Sequence, residues 1–254
     1  MAQISTTMRS LLILVLAYPV LQANNPPTGK QDTKQSVKLP KSVDLRPRLN
    51  SLGLVPRGQG PRNTCSVFAT IGAMEFAVSK HFGRGTLLSV EYLNWASNDA
   101  IHDPTDGGFF HDLLKGFEQH GICLEADMPY QKQYDPKLKP SEKTQQKAKQ
   151  IHGLGLQVHW INPWKPQPGL TDEHLRKIKT VLAKGYPVAA GSSHSRLIVG
   201  YVDDGRQPGG GVFLIKDSGA AAYNTITYQF AKEKVGDVIW VEAPTKQKEK
   251  KTGK

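Results

Sequence analysis

Residues 59–70 read QGPRNTCSVFAT, and one of the chain's two cysteines, Cys65, sits in the middle of them. The stretch runs from turn-forming residues, Gly60, Pro61 and Asn63, into an apolar run. Val67, Ile71, Met74 and Val78 recur at the spacing of one helical face, and Phe68 and Phe76 widen it. Asn63 or Thr64 is placed to cap the start of this helix, and Gly83 lies just past its end. Cys65 therefore falls at or within the first turn. Two readings are open there. A cysteine in an apolar helix is commonly a small buried hydrophobe. A helix N-terminus, however, presents unpaired N–H groups and the positive end of a dipole, and both favour a thiolate.

A nucleophilic cysteine needs company. Thiols titrate near about 8.5, so a base has to accept the proton, a third group has to orient that base, and N–H donors have to meet the oxyanion. Gln59 lies on the approach to Cys65, close enough to fold its amide back over the same site. His194 sits in GSSHSRLIVGY, directly before an apolar strand, and Asp217 ends the next strand, GVFLIKD. Adjacent antiparallel strands can bring His194 and Asp217 side by side. Each residue also has a plain structural reading: Gln59 as a loop cap, His194 as an edge histidine, Asp217 as a turn residue.

Outward from this stretch the chain divides. LSVEYLNWAS and FFHDLLKGFEQHG read as helices, the second stopped by Gly121. Residues 135–150, DPKLKPSEKTQQKAKQ, are charged and weakly apolar, an exposed connection between halves. LTDEHLRKIKTVLAKG follows as a helix capped by Thr171 and ended by Gly185. PVAAG, LIVGYVDD, GVFLIKD, ITYQF and DVIWVEA then read as short strands, separated by turns such as Asp204-Gly205. Helices first and an antiparallel sheet later imply an α+β fold with two lobes. HWINPWKPQPG, with Trp160 and Trp164, reads as a packed or cleft-rim loop. The histidines show no metal-ligand spacing, and there is no Gly-x-Ser-x-Gly elbow, P-loop or dinucleotide fingerprint, so neither a metal nor a cofactor is expected.

From about Pro40 to Val241 the chain resembles the papain-like cysteine peptidases. LPKSVDLR looks like the family's mature start, and QGPRNTCSVFAT resembles its Gln-Gly-(x)4-Cys-x-x-Phe-Ala. LSVEYLNWAS resembles its Leu-Ser-x-x-x-Leu helix, and Asp106-Gly107-Gly108 its Gly-Gly segment. GICLEADMPY, HSRLIVGY and FLIKDS follow in the family's order, and His194 and Asp217 stand about 130 and 150 residues after Cys65, the family's separation. The resemblance implies a helical first lobe, an antiparallel β second lobe and an active site in the cleft between them. It implies a cysteine endopeptidase with Cys65 as nucleophile, His194 as base and then acid, and Asp217 as orienting residue. Gln59 and the Cys65 N–H would form the oxyanion hole. Gly107 and Gly108 would line the cleft, where bare backbone lets an extended peptide pair as a strand. A non-catalytic peptide-binding protein, or an amidase or acyltransferase of the same Cys-His chemistry, are the alternatives. Three departures stand out. The family's Asn is Asp217 here; Ser66 and Gly219 replace its two tryptophans; and Arg62, Ala96 and Thr105 stand where cysteines of its first-lobe disulfides would be.

The ends read differently from the middle. Arg9 precedes the apolar run LLILVLAYPV, too short to span a bilayer, so residues 1–23 read as a signal peptide. Residues 24–38 are a polar, Pro-containing linker or short pro-segment, 39–243 the peptidase domain, and 244–254 a basic tail that contributes to the net charge of +11. The protein is expected to be secreted or periplasmic and monomeric, acting on a peptide or protein substrate. No nucleic-acid partner and no stable membrane insertion after signal cleavage are expected. In an exported chain Cys65 and Cys123 can form a disulfide; the nucleophile reading requires that they do not.

Overall fold

The structure is a computed structural model and describes residues 38–244. The stretches read above as signal peptide, as linker up to residue 37 and as basic tail from residue 245 lie outside the described residues. In chain order the elements are β1 (Ser42–Asp44), α1 (Arg46–Ser51), α2 (Cys65–Phe82), α3 (Val90–Ile101), α4 (Phe110–His120) and α5 (Glu142–His152), then β2 (Gln157–Asn162), α6 (Asp172–Ala183), β3 (Val188–Gly191), β4 (Arg196–Asp203), β5 (Gly211–Asp217), β6 (Ala222–Thr227), α7 (Tyr228–Lys234) and β7 (Asp237–Glu242). This is the α+β architecture expected from the run of helices before the run of strands.

Helix α2 joins the two halves of the core. Val67, Ile71, Met74 and Val78 are fully buried, and nearly every other residue from Ser66 to Ser79 is buried as well. A helix buried all round has to meet partners on several sides, and α2 packs on α3 and α4 as well as on β3, β4 and β7. Each such side chain contributes about 1.5–3 kcal/mol relative to exposure. Gly72 allows the close approach to the sheet, since a Cβ there would come within 2.8 Å of Leu197 Cδ2 of β4. Gly83 ends the helix in the left-handed conformation, φ 70°.

The sheet is antiparallel, in the order β2-β7-β3-β4-β5-β6, with β1 paired to β4. The register of β4 on β5 shifts between Ile198 and Gly200. At that irregularity Val199 gives its carbonyl to the Leu45 N–H at 2.8 Å, which ties β1 and α1 onto the sheet.

Several local readings are corrected. The stretch 135–150 is not wholly connection: Ser141 accepts from Thr144 N–H at 3.1 Å and starts α5, whose Ala148 is buried. Its apolar face is too sparse to give a periodic signal. Residues 157–162 of the tryptophan-containing stretch form β2, paired with β7, rather than loop. ITYQF is split, because Thr227 ends β6 and caps α7 by accepting from Phe230 N–H at 3.1 Å. Thr64 holds the cap position of α2, but its hydroxyl bonds to the Tyr130 hydroxyl at 2.7 Å instead of the helix. Among the described residues no helix is long and apolar enough to cross a membrane.

Candidate active site

Cys65 is the first residue of α2 and is half-buried, and its thiol is free. Cys123 is also free, fully buried, with its thiol pushed up to about 12 by burial, so no disulfide forms between the two. As the opening residue of the helix, Cys65 has a main-chain N–H with no intrahelical acceptor. Cys65 lines a cavity of about 530 Å³, together with Ser66 and Gly108 from the helical lobe and Ser192, Ser193 and Ser195 from the loop between β3 and β4. The serines flank His194.

The His194 ring is fixed from the sheet side. Its Nε2 lies 2.7 Å from Asp217 Oδ1, and the carboxylate can only accept, so Nε2 carries the proton and Nδ1 keeps a lone pair when the ring is neutral. The pairing works because His194 stands just before β4 and Asp217 ends β5, with Leu197 registered opposite Lys216. Burial alone would raise the Asp217 carboxyl, but the bonds from His194 and from Gly219 N–H at 2.8 Å, with Arg196 nearby, hold it below the ordinary carboxylate value. Arg196 also donates to the His194 carbonyl at 2.6 Å and stands 3.6 Å from Asp217 Oδ2, bracing both residues at once. Gly219 packs against the edge of the pair. A Cβ there would sit 3.1 Å from His194 Nε2, so at this position it is bare backbone that meets the pair.

Gln59 is held across the cleft. Its N–H donates to the Ser218 carbonyl at 2.9 Å, and its Oε1 accepts from Ser218 Oγ at 2.8 Å. Its Nε2 donates to the Arg62 carbonyl at 2.6 Å, which leaves one amide hydrogen uncommitted. The Tyr130 hydroxyl donates to the Gln59 carbonyl at 2.9 Å.

The two glycines separate. Gly108 lines the cavity with Cys65. Gly107, expected to line it too, is buried outside that lining, at φ 96°, with the site of a Cβ 2.2 Å from the Asn63 carbonyl oxygen. It buttresses the loop that leads into Cys65, and its N–H donates to Asn94 Oδ1 at 2.8 Å.

That loop has an anchor the sequence did not reveal. The Arg62 side chain is 2% exposed; it pairs with Glu91 of α3, with Asp106 at 2.8 Å, and donates to the Gln131 carbonyl at 2.9 Å. The Tyr130 ring lies 4.6 Å from its guanidinium carbon. The partners are distant in sequence, so no local signal reports them. Arg196 was more accessible to inference, as it stands two residues after His194 on a strand face that must cover it.

A sequence profile of the papain family cysteine proteases matches residues 39–235. No curated protein sequence matches the chain. Among solved structures the chain is similar to digestive procathepsin L 3 of Tenebrio molitor larval midgut, with a TM-score of 0.60 and 19% identity over 82% of this chain and 71% of that one. It is likewise similar to xylellain, a cysteine protease from Xylella fastidiosa, with a TM-score of 0.61 and 19% identity over 82% and 88% of the two chains. The proform of the ragweed pollen allergen Amb a 11, also a cysteine protease, matches at 0.58 and 21% over 83% and 67%. Such distant likenesses establish the shared architecture, and the profile match over most of the sequence places this chain in the papain family of cysteine proteases.

Proposed function

We propose that the chain is an exported cysteine endopeptidase that cleaves peptide bonds through a thioester on Cys65. The observation that carries this reading is the His194–Asp217 pair, 2.7 Å apart, with the serines on either side of His194 lining the same cavity as Cys65. His194 Nδ1 takes the thiol proton, and the thiolate attacks the carbonyl carbon, forming the C–S bond while the C=O π pair moves onto oxygen. The Cys65 N–H and the uncommitted Gln59 amide hydrogen bond that oxyanion. Collapse breaks the C–N bond as His194 returns its proton to the departing amine. Water then attacks the thioester with His194 as base, the C–S bond breaks, and the proton passes back to sulfur. Asp217 holds the ring in the tautomer that this sequence of transfers needs. Export rests on Arg9 and the apolar run of residues 11–20.

The test is labelling with an epoxysuccinyl peptide and mass mapping of the adduct. The expected adduct is on Cys65, with none on Cys123, and Cys65→Ala is expected to lose both labelling and peptide hydrolysis. Full hydrolysis by Cys65→Ala overturns the assignment. One observation favours a second reading, a non-catalytic peptide-binding protein: the residue packed against the His194–Asp217 edge is exposed Gly219, which has no side chain to shelter it. Binding of peptides without labelling or cleavage would select it.

A further inference from the structure

The cavity that Cys65 lines is also lined by a buried carboxylate. Asp237, the first residue of β7, is 5% exposed and is the one acidic side chain in the cavity lining. Among the described residues it makes no ion pair and no side-chain hydrogen bond with another residue. Room for it is made by Gly191, paired with it in the sheet: Asp237 Oδ1 lies 1.7 Å from where a Cβ at position 191 would stand. Burial pushes its carboxyl up to about 6. The basic groups around it leave it alone. Lys165 and Lys234 line the cavity but are exposed and do not pair with it. His111, whose field reaches it, is exposed and turned to Asp112 at 3.3 Å.

An unpaired buried carboxylate is a cost that a fold ordinarily removes by pairing or replacement. Here it persists in the lining of a cavity that also carries two aromatic rings. Phe109 and Trp164, both exposed, meet edge to face with centroids 5.6 Å apart. Aromatic faces take the stem of a long basic side chain and interact with its cationic head, and a carboxylate beyond them completes the pairing.

We infer that Asp237 is the specificity-determining residue of a subsite for a basic side chain, lysine or arginine, carried by the substrate close to the bond cleaved at Cys65. The inference rests on the peptidase reading and adds the substrate class to it. The experiment uses peptides that differ at one residue near the cleaved bond, with arginine, lysine, norleucine or glutamate in that place. Wild-type protein is expected to cleave the basic peptides at least about tenfold more efficiently, in kcat/KM, than the norleucine peptide. Asp237→Asn is expected to bring that ratio close to one, and Asp237→Glu to retain part of it. A wild-type preference for norleucine or glutamate, or an Asp237→Asn protein with the ratio unchanged, overturns the inference. The same peptides are also titrated against Cys65→Ala by calorimetry. Selective binding of the basic peptide there, with no cleavage by wild type, overturns the peptidase reading and leaves the subsite standing; cleavage by wild type without selectivity in either assay does the opposite.

Discussion

Arg62 and Asp237 are both buried charges beside the cleft, and they are treated in opposite ways. Arg62, in the helical lobe, has two carboxylates, a backbone carbonyl and an aromatic face around it. Asp237, in the sheet, has bare glycine on one side and open cavity on the other. Burial opposes the Arg62 charge, but Asp106 and Glu91 outweigh it, so the guanidinium is held more firmly charged than an ordinary one. Burial acts on Asp237 against only its own main-chain N–H and the field of His111, and it prevails. The paired charge is part of the scaffold that fixes the loop leading into Cys65; the unpaired one is free to meet a ligand. The His194 side lies between these extremes, with Asp217 bonded by His194 and Gly219 and flanked by Arg196.

The harshest way to break this contrast is to empty the paired site. Arg62→Ala leaves Glu91 and Asp106 without their cation and is expected to destabilise the protein by about 3–5 kcal/mol in urea unfolding, with Arg62→Lys recovering part of that. A loss below 1 kcal/mol would make the network decorative. Next, Asp217→Ala should lower kcat by roughly 10²-fold or more, since the ring loses its orienting acceptor, whereas Asp217→Asn should stay within about tenfold of wild type. Equal rates in all three proteins would remove Asp217 from the mechanism.

The unpaired site predicts an effect of the opposite sign. A carboxyl whose folded value is about 6 against an ordinary 3.8 supplies stability that is complete below 3.8 and lost as pH rises through 6. Asp237→Asn should therefore be more stable than wild type at pH 7.5, by about 1–3 kcal/mol, with the gap closing as pH falls through 6 and gone near 4. His111, Lys165 and Lys234 surround the group, so the same scan on His111→Asn separates the imidazole's titration from that of Asp237. A destabilised Asp237→Asn at pH 7.5 would mean that the carboxylate has a structural partner after all. The smallest effect is expected at Gly219. A Cβ added there needs His194 to give by a few tenths of an ångström, so Gly219→Ala should change stability by less than about 1 kcal/mol and kcat by no more than about threefold.

Cys65, His194 and Asp217 were legible because each sits where a local pattern changes: at a helix start, before a strand and at a strand end. The α2 core positions followed from spacing alone. What escaped shares a different property. The Arg62 clamp joins residues 62, 91, 106 and 131, which no window spans, and the sequence showed only that a cysteine was absent there. Helix α5 escaped because its buried residues are Thr144 and Ala148, neither strongly apolar. Gly107 looked like part of the cleft because glycine signals close approach without saying what approaches; the group found against it is the Asn63 carbonyl. Asp237 gave no signal at all, since an aspartate before an apolar strand is ordinary until Gly191 is seen beneath it.

The short strand β1 carries a last consequence. Ser42–Asp44 covers β4 from Gly200 to Val202, while Tyr201 Oη donates to the Pro40 carbonyl and Asp203 N–H to the Lys41 carbonyl. Any trimming enzyme that matures the chain from its front end thus meets a physical stop. Cuts before Pro40 spare the seam, whereas cuts beyond Lys41 would strip a sheet margin and leave Val202 beside an open ladder, a template for self-association. Hydrogen bonds thus set how far such trimming could go before the sheet lost its margin.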